Sequence, residues 1–221
     1  SSVTELGLAK CWLGPGSLGK LQGVIAVLSS LTVDSTGAME VFNEETGEYE
    51  SGQKTYTLNV GEEMVDLSSK NLGPADVNLV ATWLKRPEVS AVLNSIALDE
   101  CLITGTTFGS GLERRVGPIE KIDKLDADLS GFNSFCSALK SSQIASLSLR
   151  KCYLGPEALT LLADAIKFMA ALNEVNVAFN QIGSEGGIAL RDALKTSNLK
   201  FIAIGKMYTS AGGTVITGSQ V

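Results

Sequence analysis

The sequence predicts an α/β solenoid, in which units of one strand, one turn and one helix stack so that each buries its apolar face on its neighbours. Three observations predict it. Short apolar ladders recur along the 221 residues at a mean spacing of 28, and a period of roughly 20–50 residues marks repeat arrays. Within each unit the apolar period switches from about 2 across the ladder to about 3.6 after it. A Leu-Gly-Pro step separates the two at Leu13-Gly14-Pro15, Leu72-Gly73-Pro74 and Leu154-Gly155-Pro156. There the glycine permits a turn and the proline suits the first position of a helix.

The ladders end at Leu8, Val33, Leu67, Leu98, Ala127, Leu149, Val177 and Ile204. The first unit runs from Val3 to Pro15 and continues into a helical stripe of Leu18, Leu21, Ile25 and Leu28. After Val33 the alternation of Met39–Gly47 and Lys54–Val60 predicts a β-hairpin insertion over 36–63. Leu67 leads into a helix with Val77, Val80, Ala81 and Leu84 on one stripe, and Trp83 falls beside that stripe, facing outward. Leu98 precedes a second predicted hairpin insertion, over 102–121. Each insertion is expected to replace the outer helix of its unit. The Ala127 unit is short, with Phe132–Leu139 for its helix. The Leu149 unit is complete, with a stripe of Leu159, Leu162, Ala163 and Ile166. The Val177 unit repeats it with Asn180 in place of a cysteine, and Ile204 precedes a Gly/Thr-rich tail that could add one weak closing strand.

Ile144-Ala-Ser-Leu147-Ser-Leu149-Arg-Lys-Cys152-Tyr-Leu154-Gly155 follows the pattern L-x-x-L-x-L-x-x-(N/C)-x-L-G, as do Val3–Gly14 and Leu172–Gly183. On these residues the chain resembles the leucine-rich repeat, in its long, ribonuclease-inhibitor-like class. The resemblance implies one domain over 1–221 of about eight units, with a curved parallel sheet inside and helices outside. It also implies protein–protein recognition without catalysis. An alternative follows from the same resemblance, because Ran-type GTPase-activating proteins are similar in repeat class: a regulator of a small GTPase.

Composition narrows the function further. Hydrophobic residues make up 44% of the chain, enough for a large core, yet no stretch reaches the ~18 apolar residues of a membrane span. The net charge is −6 and the basic residues are scattered, which argues against nucleic acid. Histidine is absent, and with it the commonest general base and zinc ligand. Cys11, Cys101 and Cys152 each stand three residues after a ladder. Counting Ala127 as a rung puts Cys101 and Cys152 two units apart, too far for a disulfide. Reduced thiols and a cytoplasmic location are therefore expected.

No cofactor or metal site is expected. Gly14–Leu21 has a P-loop outline, with Asp34 roughly twenty residues on, but Leu21 stands where the magnesium-binding hydroxyl belongs, and the Leu-Gly-Pro step recurs elsewhere without the glycine cluster. Asp126-Ala-Asp128 resembles the start of a calcium loop whose twelfth position, normally glutamate, is Ser137. Arg114, Arg115, Lys121 and Lys124 read as a solvated hairpin tip.

Residues flanking each ladder position should face the partner. The candidates are Asp34, Asp66, Asp99, Glu100, Asp126 and Asp128 in an acidic middle, then Arg150, Lys151, Asn176 and Phe179. Aligned acids would attract a protein with a basic surface and speed its association. Trp12, Leu102 and Tyr153 share one position at the strand-to-helix bend. Val3 already lies inside the pattern with no capping segment before it, so the expectation is either that further repeats precede it or that a partner covers the N-terminal edge, self-association being one such cover.

Overall fold

The computed structural model describes residues 3–38, 40–43, 48–108 and 122–205, with backbone only for 40–43 and 48–51. The tip of the second insertion, with Arg114, Arg115 and Lys121, and the expected closing strand in the tail lie outside the described residues.

The protein is mixed α/β. Five short strands form a parallel sheet in simple chain order: β6 (Met64–Asp66), β7 (Ser95–Ala97), β10 (Ser146–Ser148), β11 (Glu174–Asn176) and β12 (Phe201–Ala203). Their register is strict. Val65 faces Ile96, Ile96 faces Leu147, Leu147 faces Val175, and Val175 faces Ile202. That central row enters the core, while the residues on either side of it point to solvent, as the two-residue period of a strand requires.

The opposite face of the sheet is covered by helices α2 (Pro74–Leu84), α4 (Ser130–Leu139), α5 (Pro156–Ile166) and α6 (Gly183–Leu194), with the short α3 (Pro87–Ser90) following α2. Prolines open α2, α3 and α5 at the position where their missing N–H costs nothing. Burial of the expected stripes, Val77-Val80-Ala81-Leu84 and Leu159-Leu162-Ala163-Ile166, joins helices and sheet in one core cluster. Trp83 departs from expectation. It is 1% exposed, because α2 is packed by neighbouring helices along its flank as well as against the sheet.

The first part of the chain is organised differently. Strands β1 (Glu5–Gly7) and β2 (Ser30–Asp34) are parallel, but the other neighbour of β2 is β5 (Thr55–Asn59), which runs antiparallel to it. Within the first insertion β3 (Glu40–Asn43) and β4 (Glu48–Ser51) form an antiparallel hairpin. The first helical stripe is broken: α1 (Pro15–Lys20) gives way to two single 3-10 turns before β2. Gly16, Gly19 and Gly23 weaken helix propagation there.

The largest correction concerns Ala127. It was expected to end a rung between Leu98 and Leu149, yet β7 pairs directly with β10, and residues 125–127 form a bend. The second insertion loops out, with β8 (Thr107–Phe108) against β9 (Ile122–Lys124), and returns to supply α4 as the outer helix. Cys101 and Cys152 consequently sit on adjacent rungs, not two apart.

Candidate functional site

The solvent face of the parallel sheet and the turns that leave its strands carry most of the expected site. Pairing continues past the strand ends: Glu100 N donates to Arg150 O, Lys151 N to Ala178 O, and Phe179 N to Gly205 O. Two residues after Leu8, Leu67, Leu98, Leu149 and Val177 the backbone is left-handed, at Lys10, Ser69, Glu100, Lys151 and Phe179, with φ between 55° and 62°. Trp12, Asn71 and Tyr153 repeat this two residues later. Non-glycine residues rarely hold such angles, and here the paired turns on either side hold them.

After Leu98, Leu149 and Val177 the third residue turns inward and binds the preceding rung. The Cys101 thiol donates to Leu67 O at 3.6 Å and the Cys152 thiol to Leu98 O at 3.1 Å. Asn180 Nδ2 donates to Leu149 O at 2.8 Å, while its Oδ1 accepts from Cys152 N and Leu154 N, each at 3.0 Å. At these three bends one buried side chain thus satisfies backbone groups that the bend would otherwise strand, whereas Cys11 is exposed and Lys70 holds this position after Leu67.

On the solvent side, Asp99 and Glu100 meet Arg150 and Lys151. Asp99 Oδ1 accepts from Ser148 Oγ at 2.7 Å and from Arg150 N at 2.8 Å. Glu100 pairs with Arg150 at 3.2 Å and Lys151 at 3.6 Å and accepts from Ser69 Oγ at 3.2 Å. Partial burial pushes the Glu100 carboxyl up, but Lys151, Ser69 and Arg150 together hold it below its ordinary value. The Arg150 guanidinium lies over the Phe179 ring, 4.8 Å from its centroid. Four expected residues, Glu100, Arg150, Lys151 and Phe179, therefore form one pre-ordered patch at the strand ends. Ser148 and Ser69 belong to it as well. The Ser148 contact depends on β7 and β10 being neighbours, whereas Ser69 reaches Glu100 across β6 and β7.

Asp66 and Asn176 also face solvent, each accepting an amide two residues on, from Ser68 and Ala178. The Ser68 hydrogen bonds hold the Asp66 carboxyl below its usual range.

Three expected acids do not join them. Asp34 is buried and accepts from Thr55 Oγ1 at 2.8 Å, because antiparallel β5 covers it. Asp126 is buried and caps α5, accepting from Gly155 N at 2.9 Å and Ala158 N at 3.0 Å. Asp128 is exposed but bonds Ser130 N and Oγ at the start of α4, away from the strand face. The continuous acidic field expected across the middle of the array is therefore absent from the described residues.

Behind the face lies Asp76, which the sequence reading passed over. It is buried, and its carboxylate accepts from Thr36 N and Oγ1, Gly73 N and Tyr56 OH at 2.7–3.0 Å. Desolvation raises its pKa against the pull of these donors. Its place three residues after Gly73 is capping-box spacing, a signal that was legible.

A cavity of about 230 Å³ opens at the helix starts, lined in part by Pro15, Thr36, Asn78, Asp128 and Ser130. Among the described residues that line it, Asp128 is the one titratable group. No group of three His, Cys, Asp or Glu side chains among the described residues is placed to hold a metal ion. No helix among them is long and apolar enough to cross a membrane.

The chain matches no protein-family model and no curated protein.

Proposed function

We propose that this chain is a solenoid of the leucine-rich-repeat type that serves as a non-enzymatic protein-recognition domain, with the partner seated on the solvent face of the strands. The observation that carries the reading is the inward relay at the third position after the ladder. Cys101, Cys152 and Asn180 each bond the ladder carbonyl one rung back. A repeated polar residue that serves only the stacking of identical turns is what an array of this kind needs, and an enzyme pocket has no use for it.

The Arg150–Phe179 stack supports recognition centred at the strand ends, since arginine and aromatic side chains dominate binding energy at interfaces and these two are already ordered by Glu100 and by each other. The partner is a protein with mixed charge opposite this patch, and its basic groups meet Asp66 and Glu174, which Arg150 and Lys151 do not reach. Buried free thiols at Cys101, Cys136 and Cys152 fit a reducing, cytoplasmic compartment.

The test is affinity capture from the native source with wild-type chain and with Arg150→Glu and Phe179→Ala variants as parallel baits. Proteins retained by wild type and lost by both variants support the reading. A capture set identical for all three baits overturns it.

A further inference from the structure

Among the described residues the sheet β1-β2-β5 and the five-stranded array share no strand pairing, although every neighbouring pair of strands within the array is bonded. The first sheet ends at Asn59 and the array begins at Met64. The connection between them passes through Gly61, left-handed at φ 82°, where an added Cβ would touch nothing.

The seam is held from α2. In the first turn of this helix Asp76 accepts from Tyr56 OH of β5 and from Thr36 N and Oγ1 after β2. Just past the other end Arg86, its side chain 10% exposed, donates through Nη1 to Ile25 O at 2.8 Å and to Leu28 O. One helix thus grips the chain on both sides of β2, at Leu28 before it and at Thr36 after it. Beside Asp76, Gly37 N donates to Asn71 O and Asn71 Nδ2 donates to Gly37 O. Helix α1 and both 3-10 turns pack on α2 as well.

We propose that the first sheet, with α1 and the two turns, is one cooperative unit that unfolds from the array and closes again, released when the two α2 clamps part. The apolar core runs through the seam, so the open form is a minor state. It lies below global unfolding in free energy because β6, β7, β10, β11 and β12 keep their pairing. The strand-end patch of Glu100, Arg150 and Phe179 lies wholly on the array, so this device stands apart from the proposed function. A partner that also touched the first sheet would favour the closed form.

Native-state hydrogen exchange of the full chain tests this. Ser35 and Val60 report on the first sheet, where their amides are bonded, and Leu98 and Leu149 report on the array. Ser35 and Val60 should share one opening constant, roughly tenfold or more above that of Leu98 and Leu149. Tyr56→Phe removes one clamp bond and should speed all four amides roughly tenfold, because global unfolding includes the opening. Asp126→Ala breaks bonds within the array only. It should speed Leu98 and Leu149 roughly thirtyfold and leave Ser35 and Val60 unchanged. Equal acceleration of all four by Asp126→Ala would mean that the chain opens only as a whole, and overturns the proposal. So does a Tyr56→Phe variant with unchanged Ser35 and Val60, which would assign their exchange to fraying that spares the seam.

Discussion

Asn180 Nδ2 stands 2.8 Å from the Leu149 carbonyl, one rung earlier in the sheet, and the same side chain receives two amides through Oδ1. It does for its bend what the cysteines at the equivalent positions do with a single weak donor. Asn180→Ala removes every one of these bonds from a site that water does not reach, and each stranded polar group costs about 1–3 kcal/mol. A loss of about 3 kcal/mol in urea unfolding is expected. Asn180→Cys should lose less, since a thiol keeps the donation to Leu149. Equal losses for the two variants would show that the relay contributes nothing.

Asp126 caps a helix that lies beyond it in the chain. Its carboxylate receives Gly155 N, at the N-cap of α5, and Ala158 N, in the first turn of the helix. Asp126→Ala is expected to destabilise by about 2 kcal/mol, the upper range for loss of a helix cap. A Cβ on Gly155 would collide with the Asp126 carboxylate, so Gly155→Ala should cost at least as much. Thermal unfolding of both variants checks this, and a Gly155→Ala protein as stable as wild type would contradict the capping geometry.

Asp76 ties two sheets that share no strand pairing. Tyr56 from β5, Thr36 from the turn after β2 and Gly73 before α2 all donate to it. Burial raises its folded pKa above the ordinary 3.8. The unfolded chain therefore ionises first as pH rises, and between the two pKa values the folded state holds more protons. Stability in that window falls with rising pH. The wild-type stability minus that of Asp76→Asn should decline as pH is raised from about 3.8. A difference that rises over this range would reverse the assignment. Asp66 and Glu100, whose carboxyls are lowered, act with the opposite sign: their contribution is present above the unfolded value and fades as pH falls through the folded one.

Thiol chemistry gives a direct readout of the array. Cys11 is exposed, whereas Cys101, Cys136 and Cys152 are buried. Burial pushes all three buried thiols up, Cys136 to about 12. Thiolate is the reactive form, so one thiol per native chain should react with an aromatic disulfide reagent at mildly alkaline pH. The other three should react when the chain unfolds. Two or more fast thiols in the native protein would contradict the burial.

Much of this architecture was readable from residues in order. The alternation around Leu147 and Val175 and the Gly-Pro helix starts at Gly73-Pro74 and Gly155-Pro156 are local consequences of pattern and turn chemistry. So was the outward setting of Asp66, Arg150 and Asn176, because a strand's two faces alternate without reference to distant neighbours. The sequence by itself determined these.

Which rungs touch was decided by tertiary structure. Ala127 has the ladder's spacing, yet Asp126 caps α5 and β7 closes on β10 instead. That choice set Asp99 against Ser148 and Glu100 against Arg150. In the same way, antiparallel β5 took the place beside β2 and buried Asp34. A period identifies units that are able to stack. Strand order follows from which long-range pairings satisfy the most backbone and bury the most apolar surface, and that comparison is made by the whole chain at once.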